Sequence, residues 1–211
     1  MTSNKKIIQH LLTNDLVMSA LIKKIGRIDL RPQRIPPFQS IVHAIIHQQL
    51  NGRAAKVIYD RFIVLFGNGK FPTPEQIKNI DFEIMRSSGL SKPKTTYIKE
   101  VAEMALTGMV PTLKECDKLS DDEIKDQLVK IKGVGPWTVE MLLIFNLGRL
   151  DVLPIHDLGV RKGFQIAYKK RKLPTPDQLK QFGRKWKPYR TMATLYLWRA
   201  VDSVDLNEWL T

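Results

Sequence analysis

Two stretches hold the residue types that chemistry needs. The first is Lys132-Gly133-Val134-Gly135-Pro136-Trp137-Thr138, and Asp151-Val152-Leu153-Pro154-Ile155-His156-Asp157 follows it after one more apolar run. Glycines let a turn approach another backbone closely, and Pro136 suits the first turn of a new helix, because its missing amide would have no partner there. The free amides at the start of that helix point outward, which makes the hairpin a ready site for phosphate. On residue type alone, Gly-Val-Gly is also a plain turn between helices, and Asp157 is a plain helix cap. His156, with His43 and His47 further back, forms no metal site, since nothing supplies a third zinc ligand at usable spacing.

The elements that must position these residues read as helices throughout. Ser120-Asp121-Asp122-Glu123 has capping-box spacing, which predicts a helix over 120–131. Gly133 and Gly135 break it, and the mostly apolar run 137–147 forms the next helix, stopped by Gly148. Earlier, Ile7, Ile8, Leu11 and Leu12, then Leu16, Val17, Ala20, Leu21 and Ile25, follow helical spacing with Asp15 as a cap between them. Pro37 starts a helix with the stripe Phe38, Ile41, Val42, Ile45 and Ile46, which breaks at Gln48-Gln49-Leu50-Asn51-Gly52. Further helices are expected over 53–66, 81–88, 94–107, 157–168, 177–186 and 189–201. Thr73-Pro74-Glu75-Gln76 and Thr175-Pro176-Asp177-Gln178 share cap logic, but their flanks do not match, so there is no internal repeat. No strand pattern competes and no Ser-, Gly- or Pro-rich linker divides the chain. An all-α fold in one domain, 1–211, is expected.

At 211 residues the chain should bury about 70% of its unfolded surface, enough for a real core. Lys plus Arg outnumber Asp plus Glu by 34 to 21, a formal charge of +13 with a pI near 9.8, so an anionic polymer is the first partner to consider. Charge alone does not choose nucleic acid over an acidic membrane. No stretch approaches 18 apolar residues and the N-terminus has no signal-peptide pattern, which points to a soluble intracellular protein. Cys116, the single cysteine, agrees with that and excludes an intrachain disulfide.

The hairpin followed by Asp157 resembles the helix-hairpin-helix superfamily of DNA base-excision glycosylases. The resemblance implies two helical subdomains, roughly 38–147 and 1–37 plus 148–211, with an interdomain active-site cleft. It implies that Gly133, Gly135 and Thr138 grip DNA backbone and that Asp157 is the catalytic carboxylate, which stabilises positive charge on the sugar as the base leaves and helps orient or deprotonate the water. The segment Ser40-Ile41-Val42-His43-Ala44-Ile45-Ile46-His47-Gln48-Gln49-Leu50 is similar to the intercalation loop of the 3-methyladenine DNA glycosylase II branch. Within Gln49, Leu50 and Asn51, either Leu50 or Asn51 would be the wedge that fills the gap left by a flipped nucleotide. Ser88-Gly89-Leu90-Ser91 with Lys94 resembles that branch's strand-contacting segment, implying Ser91 and Lys94 at the DNA backbone. Trp186-Lys187-Pro188-Tyr189-Arg190 and Leu197-Trp198-Arg199 resemble its closing signature. Trp186 and Tyr189 read as structural, whereas Trp198 and Trp137 would line the base pocket. Met141 stands where some relatives carry an aromatic.

The residue at 137 also bears on the reaction. Relatives that cut the strand carry a lysine there, which forms a Schiff base, and Trp137 cannot do that. The implied enzyme is a monofunctional glycosylase, a monomer that excises alkylated purines such as 3-methyladenine and 7-methylguanine from double-stranded DNA in the cytoplasm or nucleoid of a bacterium or the nucleus of a eukaryote. Lys169-Lys170-Arg171-Lys172 is either a nuclear signal or a solvated face. No cofactor is required, though in the family the carbonyls matching Val129, Ile131 and Val134 hold a structural monovalent cation. The lone cysteine excludes the four-cysteine iron–sulfur loop of some members. Two alternatives stand beside this reading: a non-catalytic DNA-binding module that needs only the hairpin, and a glycosylase/lyase using another lysine such as Lys132.

Overall fold

The computed structural model describes residues 4–50, 52–67 and 69–202, and among these there is no strand. In chain order the helices are α1 (Asn4–Asn14), α2 (Leu16–Ile25), α3 (Pro37–His47), α4 (Gly52–Val64), α5 (Pro74–Asn79), α6 (Phe82–Arg86) and α7 (Lys92–Leu106). There follow α8 (Leu113–Cys116), α9 (Asp121–Leu128) and α10 (Pro136–Met141), which runs on as a π-helical segment, Leu142–Leu147. The last are α11 (Leu158–Ala167), α12 (Pro176–Phe182) with a 3-10 turn at Gly183–Trp186, and α13 (Arg190–Asp202). Local chemistry starts most of them. Thr73 with Gln76, Ser120 with Glu123 and Thr175 with Gln178 form reciprocal capping boxes, as does Thr112 with Glu115 at α8.

Two expected boundaries move. The helix begun at Ser120 ends at Leu128, because Ile131 N bonds to Leu128 O and Val134 N to Ile131 O, which tightens the chain into the turns of the hairpin. The run 137–147 changes register at Leu142. The π turn accompanies an inward-facing Asn146, fully buried, whose carboxamide accepts from Ile35 N at 2.9 Å and donates to Ile35 O at 2.9 Å. Gln33 N and Arg34 N bond to Phe145 O and Asn146 O, and the Arg34 guanidinium grips Asp117 in a fork at 2.9 and 2.6 Å.

The chain forms two compact units, Met1–Arg31 with Gly148–Thr211, and Pro32–Leu147. Residues 32–37 thus sit with the middle of the chain and not with its ends, held there by the Asn146 contacts just described.

In the first unit α11 packs on α13 at unusually short range. A Cβ on Gly163 would lie 1.9 Å from Leu197 O, and one on Gly159 would lie 3.0 Å from Trp198 Cδ1. These glycines are four residues apart and share one face of α11: at Gly163 it meets the backbone of α13, and at Gly159 it makes room for the Trp198 ring. Asp15 is the polar centre of this unit. Its side chain is 2% exposed; Oδ1 accepts from Val17 N and Met18 N at 3.1 Å, and Oδ2 from Tyr168 OH at 2.5 Å and Trp186 Nε1 at 2.8 Å, with Lys185 Nζ at 3.1 Å. Burial alone would push this carboxyl up, but the donors, Tyr168 first, outweigh it and hold it below the ordinary value of 3.8.

In the second unit α3, with its buried apolar stripe, packs against α7, whose buried residues are Thr95, Ile98, Val101 and Ala102. Two α7 lysines close the ends of neighbouring helices. Lys94 Nζ donates to Ile46 O at 2.8 Å and Gln48 O at 2.7 Å, and Lys99 Nζ to Ile77 O, Lys78 O and Ile80 O at 3.3, 2.9 and 2.5 Å. Terminal carbonyls with no partner inside their own helix are satisfied this way.

Asp15→Ala should cost about 3–5 kcal/mol, summing a lost cap with the Tyr168 and Trp186 donors left unpaired. Because the folded carboxyl titrates below its unfolded value, its contribution is fully present above about pH 4 and is lost as pH falls through the folded value. Urea denaturation should therefore show the gap between wild type and Asp15→Asn shrinking in acid; a gap that widens there would contradict the assignment.

Candidate functional site

In the first unit the loop that delivers Asp157 is laced to the start of α13. Arg190 holds Asp151 through Nε at 2.6 Å and Nη2 at 2.9 Å and also donates to Asp151 O at 3.0 Å. Thr191 accepts from Val152 N at 3.0 Å and donates to Arg149 O at 2.6 Å, while its own amide bonds to Leu150 O. At the end of this loop Asp157 caps α11, accepting from Val160 N at 2.7 Å. The same oxygen, Oδ1, accepts from Trp198 Nε1 at 2.9 Å. Two of the expected site residues, the acid and the pocket indole, are thereby brought into direct contact. What places them is the α11–α13 approach at Gly159 and Gly163, a pair of glycines at helical spacing that was available in the sequence and not used.

In the second unit the hairpin between α9 and α10 is fixed from one side. Gly133 has φ 88°, and a Cβ there would fall 2.1 Å from Tyr97 Cγ, so the α7 ring seats the turn and only glycine fits. Gly135 differs: its backbone is extended and nothing lies within 4 Å of where its Cβ would be. The open face of the hairpin is therefore at Gly135 and the first amides of α10. Thr138 is 1% exposed, and its Oγ1 takes the Gln48 Nε2 donor at 2.9 Å. Thr138 is expected at the DNA backbone, whereas its hydroxyl is buried and turned to Gln48. Trp137 and Met141, both half-buried, lie four residues apart on one face of α10.

The loop after α3 is reached from both neighbours. Gln48 bonds through its side chain to Gly133 O at 3.2 Å as well as to Thr138, and through its carbonyl to Lys94. Lys94 is thus used inside the protein, with two of its three donors on α3 carbonyls; burial lowers its pKa. Ser91 is exposed and caps α7, accepting from Lys94 N at 3.4 Å. Gln49 is exposed with φ 55°, and Leu50 is 40% exposed. Asn51 lies outside the described residues. His43 and His47 stack at 4.1 Å, and burial first, then His47, push the His43 imidazole down to about 4. Among the described residues no cluster of His, Cys, Asp and Glu suits a metal, and no helix is long and apolar enough to cross a membrane. Val129 is exposed, whereas Ile131 and Val134 are buried in the turn after α9. Trp186 and Tyr189 are buried, and Lys169 to Lys172 form an exposed turn after α11.

A model of the HhH-GPD superfamily of base excision DNA repair proteins matches residues 42–188. DNA-3-methyladenine glycosylase 1 of Schizosaccharomyces pombe is 40% identical, with 98% of this chain and 92% of that protein aligned. The structure of the Schizosaccharomyces pombe 3-methyladenine DNA glycosylase in complex with abasic DNA matches with a TM-score of 0.88 over 92% of this chain and 95% of that one. A DNA-3-methyladenine glycosidase structure from Bacillus halodurans matches at 0.79 and 36% identity, over 93% of this chain and 89% of that one. With its hairpin, its helix-capping Asp157 and this match over most of its length, the chain belongs to the HhH-GPD superfamily of base excision DNA repair proteins.

Proposed function

We propose that the protein is a monofunctional DNA N-glycosylase that extrudes alkylated purines such as 3-methyladenine and 7-methylguanine from duplex DNA and hydrolyses their bond to the sugar. The observation that carries the reading is the Asp157 carboxylate, fixed through one oxygen by a helix amide and by the Trp198 indole N–H. Such a group does not need to reorganise when positive charge develops on the sugar as the base departs, and it can orient the water that replaces the base. The names of the 40% and 36% identical relatives supply the substrate class. Trp198 directs its N–H at Asp157, so what it offers a base is its ring face. An indole face holds a desolvated cationic ring by up to about 2 kcal/mol, which suits a methylated purine.

The hairpin at Gly133 and Gly135 grips phosphates, the Gln49–Leu50–Asn51 tip fills the vacated stack, and the compartment is whichever holds the DNA. The carbonyls of Val129, Ile131 and Val134 follow the negative end of α9, a fit for the monovalent cation that would tie the turn to a phosphate. With no amine on Trp137, no Schiff base forms at that position.

Incubation with methylated DNA should release methylated purines, identified by mass, and leave an intact abasic strand that breaks only on later heat or base. Release of no base, or a protein–DNA adduct trapped by borohydride, would overturn the monofunctional reading.

The two hairpin glycines should separate fold from binding. Gly133→Ala should destabilise the protein by about 1–3 kcal/mol through its clash with Tyr97. Gly135→Ala, whose Cβ meets nothing within 4 Å, should cost only the difference between Gly and Ala as an N-cap, about 0.5–1 kcal/mol, and weaken duplex binding on every sequence alike, with log affinity falling about 0.9 per log unit of salt for each phosphate neutralised. Sequence-dependent loss, or a flat salt response, would contradict a backbone grip.

A further inference from the structure

Gln48 stands at the junction of the two DNA-facing features of the second unit, and no part of the chemistry above needs it. We propose that Gln48 is a positioning residue that couples the hairpin's hold on the DNA backbone to insertion of the loop tip, an inference that rests on the glycosylase reading. Five hydrogen bonds fix it. Its amide bonds to Ala44 O and Ile45 O at 3.1 and 3.2 Å, its carbonyl takes Lys94 Nζ at 2.7 Å, and its Nε2 donates to Gly133 O at 3.2 Å and Thr138 Oγ1 at 2.9 Å. Both hairpin acceptors are packed in place, Gly133 against the Tyr97 ring and Thr138 buried at 1% exposure.

Immediately beyond this anchor the chain turns into an exposed tip. Gln49 adopts φ 55°, a conformation that side-chain-bearing residues rarely take, and Leu50 N closes the turn on His47 O at 3.3 Å. A tip that enters a base stack must resist restacking worth a few kcal/mol. Its base must therefore push against something already held on the duplex. The Gln48 carboxamide provides that path, because the turn it bonds to is the one that holds the phosphates. The coupling acts on extrusion of the base and leaves bond cleavage to Asp157.

The test uses the whole chain and two DNAs, one with 7-methylguanine paired in duplex and one with it in a single-nucleotide bulge that is already unstacked. Gln48→Met keeps the length of the side chain and removes its hydrogen-bonding groups. Single-turnover release from the paired duplex should fall roughly tenfold, the scale of two net hydrogen bonds, while release from the bulge falls less than about threefold. Thr138→Val should reproduce the effect, Thr138→Ser should restore it, and Gln48→Met with Thr138→Val should be no worse than either alone. If Gln48→Met does not fold, the Thr138 pair makes the same comparison. Equal losses on the two DNAs, or additive losses in the double variant, would overturn the coupling. Wild type that releases no base from either DNA would instead overturn the glycosylase reading beneath it.

Discussion

The carbonyl of Leu197 lies where a side chain on residue 163 would begin, and that contact between α11 and α13 governs the chemistry of the first unit. It brings Trp198 against Asp157 at a distance where an indole N–H can hold a carboxylate. The rest of the unit maintains this approach. The Asp151–Arg190 fork and the Thr191 bonds fix the loop between the two helices' starts, and Asp15 ties α2 to Tyr168 and Trp186 beyond the far end of α11. The Asp157 carboxylate and the Trp198 ring are then set by backbone packing, which is what the electrostatic role proposed for Asp157 requires.

The second unit reaches order by a different route. Its elements are joined through carbonyl ends that receive donors from other helices: Lys94 on α3, Lys99 on α5, Gln48 on the hairpin. α7 serves all of these as a spine, with Tyr97 packed under Gly133 between the two lysines. A chain with a formal charge of +13 can turn two of its cations inward and still present an electropositive surface to a polyanion.

Local signals were the legible ones. Capping boxes at Thr73, Ser120 and Thr175, the cap at Asp15 and proline at the start of α10 each place a helix from a few neighbouring residues, and all are found. Thr112-Leu113-Lys114-Glu115 carries the same box, which starts the short α8, an element outside the helices expected from the sequence. Contacts across long stretches of sequence were not legible. Asp15 meets Tyr168 and Trp186, and Gln48 meets Gly133 and Thr138, through pairings that no spacing rule announces. Thr138 and Lys94 were expected to face DNA because resemblance names a position without its orientation. Burial turns the Thr138 hydroxyl and two of the Lys94 donors inward. The i,i+4 glycines at 159 and 163 were readable as a close helix crossing, and Asn146 as a polar residue inside an apolar run.

Asp157 is both a helix cap and the proposed catalyst, and one substitution separates the roles. In Asp157→Asn the remaining side-chain oxygen can still accept from Val160 N and Trp198 Nε1, so the variant should fold while losing the charge and the second acceptor oxygen. Single-turnover release of 3-methyladenine should then fall on the order of 100- to 1,000-fold, about 3 to 4 kcal/mol, with affinity for lesion-containing DNA unchanged or tighter. A well-folded variant that loses less than about threefold would show that Asp157 is a cap alone and that the chemistry lies elsewhere.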